Sequence, residues 1–285
     1  MRRGILILVI AALSILAACG SGEGESEESK GTVTFGLNNW AENIAVSNMW
    51  KVILEEKGYD IELKSMEKSP VWAGISQGDL DVAAEVWLPT TDKPLYEEYK
   101  EDVEMQETWY EGTGLGLVVP SYMDINSIEE LNDKKSELGL EQIVGIDPGA
   151  SLMEMSRTAL DEYQLDYDLV DSSGPAMMSE LKKAYEDEEP IIVTLWNPHW
   201  AFAEYDLKYL DDPKNVYGEA DNIYFMTRTD FSDDHPEIVK WMNNWKMDDD
   251  SLGSLMATIK NADDTETGAK QWVEENEELV SKWTE

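Results

Sequence analysis

Residues 32–87 read TVTFGLNNWAENIAVSNMWKVILEEKGYDIELKSMEKSPVWAGISQGDLDVAAEVW and alternate predicted strands with predicted helices. The predicted strands contain alternating or continuous apolar residues and cover 32–37, 59–64 and 81–87. Between them, an apolar helical face repeats across 42–57, and a proline begins a shorter helix at 70–77. Strands that are separated by helices predict a parallel sheet covered on both faces.

The same alternation begins again near residue 142. Further predicted strands cover 143–146, 167–170 and 191–195, with helices at 150–163 and 175–186 between them. Two such units predict an α/β fold of two lobes, each with a mostly parallel sheet: residues 31–117 plus 229–285, and residues 118–228. We expect the strands near 115–120 and 222–228 to be the two crossings between the lobes. Because ligands of such proteins bind between the lobes, the pattern predicts a hinged clamp.

The chain of 285 residues is strongly acidic, with 60 Asp and Glu against 22 Lys and Arg and a formal net charge of −38. This charge excludes nucleic-acid binding, because a phosphate polyanion needs basic residues to displace its counterions. One cysteine and two histidines leave little material for disulfides, zinc sites or a His-based triad. The glycines at 112–116 lead into a strand, and the aspartates at 248–250 lack the spacing of a calcium loop. We therefore expect no cofactor and no metal.

The N-terminus is typical of a bacterial lipoprotein signal. Two arginines precede an apolar run at 5–18 that is too short to span a bilayer, and the only cysteine, Cys19, follows it. We predict a signal peptide at 1–18 and a flexible acidic linker at 19–30. A lipidated Cys19 would anchor the protein to the outer face of the cell membrane. The alternative, a buried free cysteine in a helix, fits these neighbours poorly.

Eleven tryptophans against four phenylalanines is an unusual ratio for core packing alone. Three of them, Trp40, Trp87 and Trp196, stand where predicted strands end, so that parallel sheets bring them to the rim of a crevice. Several indoles around a quaternary ammonium form an aromatic cage, in which cation–π attraction holds the ligand. Most of the other eight lie on predicted helical faces, where core packing is the simpler role.

Five short motifs, spread over most of the chain, can be compared as a set with known families. They are 86–89 (VWLP), 126–131 (NSIEEL), 145–149 (GIDPG), 190–200 (PIIVTLWNPHW) and 206–214 (DLKYLDDPK). In these motifs the chain resembles the glycine betaine/proline betaine-binding proteins of osmoprotectant ABC transporters. The resemblance implies a two-lobed clamp like that of periplasmic binding proteins, a transporter permease as partner, and no enzymatic activity.

The resemblance also implies a ligand-binding set. In that family a prism of three Trp holds the trimethylammonium group, and the matching positions are Trp40, Trp87 and Trp196. The ligand carboxylate is implied to accept backbone N–H bonds from Ser151 and Leu152. That placement is physically reasonable, because the first N–H groups of a helix are free donors at the positive end of its dipole.

Asp92 departs from the family pattern. Five residues beyond the Trp87 position, glycine betaine binders carry a His that donates to the ligand carboxylate, whereas an ionised Asp cannot donate. Asp92 either turns away, is protonated, or accepts from a different polar group such as the hydroxyl of choline. Glu85 either complements a ligand cation or is merely solvated.

We expect a receptor for glycine betaine or proline betaine. A choline or carnitine receptor of the same fold is the first alternative. An extracytoplasmic hydrolase on the same scaffold is the second, and against it the sequence offers no recognisable nucleophile–base pair.

Overall fold

The computed structural model describes residues 29–285, which form ten strands and twelve α-helices. The strands are β1 (Thr32–Leu37), β2 (Asp60–Ser65), β3 (Val82–Leu88), β4 (Val103–Glu111), β5 (Gly114–Pro120), β6 (Gln142–Val144), β7 (Asp168–Val170), β8 (Val193–Asn197), β9 (Leu207–Tyr209) and β10 (Asn222–Arg228). The helices are α1 (Ala41–Glu56), α2 (Lys68–Gln77), α3 (Lys93–Tyr99), α4 (Leu131–Leu138), α5 (Ser151–Glu162), α6 (Gly174–Glu186), α7 (Ala201–Glu204), α8 (Phe231–Asp234), α9 (Pro236–Asn244), α10 (Asp249–Asn261), α11 (Thr265–Glu275) and α12 (Glu277–Trp283). The predicted signal peptide, Cys19 and all but the end of the predicted linker lie outside the described residues.

The strands form two five-stranded sheets of the same design. The first has the order β2-β1-β3-β10-β4 and the second the order β7-β6-β8-β5-β9. In the first sheet β1 is parallel to β2 and β3, and β10 is antiparallel to β3 and β4. In the second, β6 is parallel to β7 and β8, and β5 is antiparallel to β8 and β9. The predicted two-lobed α/β fold is confirmed, with sheets that mix parallel and antiparallel strands. We call the sheets with their packed helices the first lobe and the second lobe.

The chain crosses between the sheets twice, after β4 and before β10. Strand β10 pairs with β3 and β4 in the first sheet, whereas the predicted division put 222–228 in the second lobe. Strand β5 lies wholly in the second sheet, although its first residues were assigned to the first lobe. An apolar strand in a sequence does not reveal which sheet it joins, because its partners are distant along the chain.

The core of the first lobe contains most of the remaining tryptophans. Trp109 stacks on Trp245 with ring centroids 4.1 Å apart, and Trp245 meets Trp50 edge to face. All three are buried, and the Trp109 indole donates to the carbonyl of Ala84. Helix α11 packs on α1, which returns the C-terminal helices to the first lobe. None of the helices within residues 29–285 combines the length and the apolar character needed to cross a bilayer.

Candidate ligand-binding cleft

The three tryptophans that end predicted strands line one cavity. Trp40 follows β1 and precedes α1, Trp87 lies near the end of β3, and Trp196 lies near the end of β8. The first two belong to the first lobe and the third to the second, so both lobes build the cavity. It is lined by Trp40, Glu42, Lys68, Trp87, Thr91, Asp92, Leu115, Ile146, Ala150, Ser151, Leu152 and Trp196. All six ligand-binding residues suggested by the sequence are in this set.

Hydrogen bonds orient two of the three indoles. The Trp40 and Trp196 rings have centroids 6.1 Å apart and an interplanar angle of 57°. The Trp40 indole N–H donates to Asp147 Oδ2 at 3.1 Å, across the boundary between the lobes. The Trp87 indole N–H donates to Glu85 Oε1 at 2.6 Å. These bonds fix the edges of two rings, so that a cation can approach their faces. The Lys68 ammonium already lies over the Trp40 ring, 5.3 Å from its centroid.

A pair of buried carboxyl groups lies beside the cage. Glu42, in the first turn of α1, is fully buried and lines the cavity, and Glu85 is 3% exposed. Among the described residues, neither oxygen of Glu42 has a hydrogen-bond partner, and Glu85 Oε2 has none. Burial raises the pKa of Glu42 well above its usual range, and the charge of Glu85 raises it further. Burial also raises the pKa of Glu85, against the attraction of Lys68.

Burial and the repulsion between Glu42 and Glu85 both disfavour two ionised carboxylates at this position. An unpaired buried carboxylate is costly, and the group adopts its neutral form until a cation is brought close. A quaternary ammonium between the tryptophans would supply a positive charge without needing a hydrogen bond. The sequence suggested Glu85 for this position and did not suggest Glu42. The only local feature of the sequence that points to Glu42 is its position two residues after Trp40.

The start of helix α5 is part of the cavity lining that the second lobe contributes. Ser151 and Leu152 are its first two residues, and both line the cavity. Ala150 precedes them in an extended conformation, and its side chain does not cap the helix. The first N–H groups of a helix have no intrahelical acceptor, so these two amides suit an anionic oxygen. Their contact with a ligand stays a prediction.

Asp92 forms a buried ion pair with Lys68. Asp92 Oδ2 lies 2.8 Å from Lys68 Nζ and accepts the backbone N–H of Trp87 at 2.8 Å. The Ser151 hydroxyl donates to Asp92 Oδ1 at 3.4 Å, across the cleft. Asp92 and Lys68 are 1% and 3% exposed. Asp92 therefore faces the cavity, and Lys68 compensates its charge. Sequence reasoning missed Lys68 because it began α2 at Pro70, two residues too late.

Asp221 lies in one crossing between the lobes. It forms hydrogen bonds with the other crossing and with the loop after β3 that carries Thr91 and Asp92. Its carboxylate accepts the backbone N–H groups of Thr90 and Thr91 at 2.6 and 2.8 Å, and it is buried. Its carbonyl accepts the N–H groups of Gly112 and Thr113, in the other crossing. The Thr91 hydroxyl lines the cavity and has no hydrogen-bond partner within the described part of the chain. Asp221 therefore sets the position of the loop that carries Thr91 and Asp92.

Further contacts hold the lobes together in a closed arrangement. Asn197 donates from Nδ2 to the Tyr110 hydroxyl at 3.4 Å. Lys260 in α10 contacts the carboxylate of Glu204 and lies over the Trp200 ring, 3.9 Å from its centroid. A Cβ at Gly174 would lie 3.2 Å from the carbonyl oxygen of Asn39, so the backbones approach closely there.

Comparison with known proteins agrees with this geometry. The family model described as the substrate-binding domain of the ABC-type glycine betaine transport system matches residues 31–275. The chain belongs to this family. The match covers both lobes and every residue that lines the cavity.

Relatives of this family domain include a protein of Listeria monocytogenes serotype 1/2a (strain 10403S), the glycine betaine/carnitine transport binding protein GbuC, with 41% identity over 159 residues. The aligned segment spans 54% of this chain and about half, 53%, of the relative. Lactococcal OpuAC, in its closed-liganded conformation with glycine betaine, matches with a TM-score of 0.83 and 32% identity, covering 89% of this chain and 99% of that one. The glycine betaine, L-proline-binding protein ProX from Borrelia burgdorferi matches with a TM-score of 0.83 and 34% identity, covering 88% and 96%.

Proposed function

We propose that this chain is the extracytoplasmic receptor of an ABC importer and captures a quaternary ammonium osmolyte between its lobes. Glycine betaine and proline betaine are the first candidates. The observation that carries the proposal is the meeting of Trp40 and Trp196 from opposite lobes, 6.1 Å apart, in one cavity with Trp87. Relatives whose names include glycine betaine support the same ligand class.

Two groups of lining residues suit the two charged groups of such a ligand. Three cation–π contacts at about 0.5–2 kcal/mol each attract the ammonium group. Glu42, buried and without a partner among the described residues, adds the negative charge that a methylated nitrogen lacks around it. The carboxylate then lies toward the first amides of α5, where the helix dipole favours an anion.

Delivery of the ligand to the importer needs a permease as partner and an anchor that keeps the protein at the membrane. We propose that the closed clamp docks on the permease of the importer and releases the ligand there. The predicted signal peptide and lipidated Cys19 would keep the protein at the outer face of the membrane through the acidic linker. The hinge would be the pair of crossings that Asp221 joins, with β10 moving as part of the first lobe.

We propose that the protein performs no chemistry on its ligand. The Ser151 hydroxyl faces Asp92, which Lys68 already engages, so Ser151 has no free general base. Burial and the nearby charge of Lys260 lower the pKa of His199 to about 3, and its Nδ1 accepts the backbone N–H of Ala201. His199 is not among the residues that line the cavity.

Calorimetric titration with glycine betaine, proline betaine, carnitine and choline tests this proposal. We expect at least one carboxylate-bearing betaine to bind with a dissociation constant well below millimolar. If none of the four binds below millimolar, the proposed function is wrong. Tighter binding of choline than of the betaines would assign the protein to the choline alternative.

A further inference from the structure

The ammonium group of Lys68 stands inside the cleft. Lys68 is the first residue of α2, is 3% exposed and lines the cavity beside the tryptophans. A buried lysine is rare unless its charge is compensated. Here the compensation is built in, because Asp92 Oδ2 lies 2.8 Å from Nζ and the carbonyl of Glu85 accepts from it at 3.0 Å.

Two contacts leave part of the ammonium group unused. A lysine ammonium has three N–H donors, and the described residues account for two. Nζ lies 5.3 Å from the centroid of the Trp40 ring. The neighbouring Thr91 hydroxyl also lacks a hydrogen-bond partner among the described residues and faces the same cavity. A donor and a hydroxyl are therefore both available for an acceptor that enters the cleft.

Asp92 holds Lys68 in place and is itself held. Its Oδ2 accepts from Trp87 as well as from Lys68, and its Oδ1 meets the Ser151 hydroxyl at the start of α5. The pair Lys68–Asp92 thus lies next to the helix terminus where an anion is favoured. Its net charge is zero, so it adds a directed donor without repelling a carboxylate as Asp92 alone would.

We propose that Lys68, positioned by Asp92, is the specificity-determining residue that binds the carboxylate of a zwitterionic ammonium osmolyte. Lys68 thereby supplies the donor that the resemblance placed at the position of Asp92. The inference rests on the proposed function and names its substrate class: a quaternary ammonium with a carboxylate, in preference to choline. Choline carries no carboxylate, and its cation lies in the same cavity as that of Lys68.

The test compares glycine betaine with choline by calorimetry on wild type and on the double variant Lys68→Met/Asp92→Asn. The double variant avoids leaving Asp92 as an unpaired buried charge. We expect wild type to bind glycine betaine at least tenfold more tightly than choline. The double variant should lose about ten- to a hundredfold in glycine betaine affinity, as expected for a hydrogen bond to a charged group, and much less in choline affinity. Lys93→Met, an exposed lysine next to Asp92, is the matched control and should retain the wild-type ratio.

A second double variant, Lys68→Met/Asp92→His, restores a neutral donor without the lysine. It should recover glycine betaine affinity to within about tenfold of wild type. An unchanged ratio of the two affinities in Lys68→Met/Asp92→Asn, or choline binding more tightly than glycine betaine to wild type, overturns this inference alone. If wild type binds none of glycine betaine, choline, proline betaine and carnitine, the proposed function fails as well.

Discussion

Trp40 of the first lobe and Trp196 of the second lie 6.1 Å apart, centroid to centroid, and neither lobe alone can form this pair. Their separation in sequence is large, yet each is placed by a strand that ends at the same crevice. A cation bound between them would contact both lobes at once. We therefore expect ligand binding and lobe closure to be coupled, because a ligand that contacts both lobes would have a higher affinity for the closed state.

The first prediction concerns Trp196. Trp196→Phe keeps a ring with a weaker cation–π attraction, and Trp196→Ala removes the ring. With about 0.5–2 kcal/mol per desolvated contact, we expect glycine betaine affinity to fall roughly 2- to 30-fold in the alanine variant and less in the phenylalanine variant. Calorimetry measures both. Trp241→Phe, a tryptophan that does not line the cavity, is the control, and wild-type affinity in Trp196→Ala would contradict the cage.

The second prediction is a pH dependence that comes from Glu42. Burial, and then the charge of Glu85, raises the pKa of Glu42, so the free protein holds a proton there above the ordinary glutamate range of about 4.3. A bound ammonium favours the ionised form. Binding therefore releases a proton, and affinity should rise with pH from the ordinary glutamate pKa up through the raised one, then level off.

The raised pKa of Glu42 also makes the free energy of unfolding of the unliganded protein depend on pH. Because the pKa of Glu42 is raised in the folded state, its contribution is present below the ordinary pKa and is lost as pH rises through the raised value. The other charged groups of this region are Glu85, Lys68 and Asp92. Calorimetry from pH 5 to 8, in buffers of different ionisation enthalpy, counts the released protons. Glu42→Gln should flatten the pH profile, and an unaltered profile would assign the titration to another group.

The sequence predicted the parts of the site that strands position. β1 and β10 have the predicted bounds, and the other predicted strands that flank the helices of each lobe agree within two residues. Once these strands are known, Trp40, Trp87 and Trp196 follow, because parallel strands present their carboxyl ends at one edge. Strand β4 was missed because it is an edge strand with exposed polar residues and only a weak apolar pattern.

The charged half of the site could not be read in the same way. Lys68 and Glu42 are buried only because partners distant along the chain surround them, and a lone charged residue in a sequence indicates a solvated surface. Pro70 was taken for the first residue of α2, whereas it is the third. Proline is tolerated there, since the N–H groups of the first turn have no intrahelical acceptor. The correct start brings Lys68 into the helix and into the cleft.

The third prediction concerns Asp221, which accepts from Thr90 and Thr91 and lies at the crossing between the lobes. Asp221→Ala leaves the buried N–H of Thr91 and the half-buried N–H of Thr90 without an acceptor, at a cost of about 1–3 kcal/mol for the buried group. We expect a lower melting temperature and at least a tenfold loss of ligand affinity, because Asp92 is carried on the same loop. Asp263→Ala, an exposed aspartate before α11, is the control. Full affinity in Asp221→Ala would mean that the loop is positioned without it.

The fourth prediction tests closure at a distance from the ligand. Lys260 of the first lobe contacts Glu204 and lies over the ring of Trp200, both in the second lobe. These groups are partly exposed, so the pair contributes little, about 0.2–1 kcal/mol, and salt screens it. Lys260→Met should therefore weaken glycine betaine binding by up to about fivefold, chiefly through faster dissociation as the lobes open. Stopped-flow tryptophan fluorescence measures that rate, with Lys270→Met as an exposed-lysine control. The difference from wild type should shrink at about 1 M salt, where the screening length is about 3 Å. If Lys260→Met lowered only the association rate, the contact of Lys260 with Glu204 and Trp200 would not be one that stabilises the closed state.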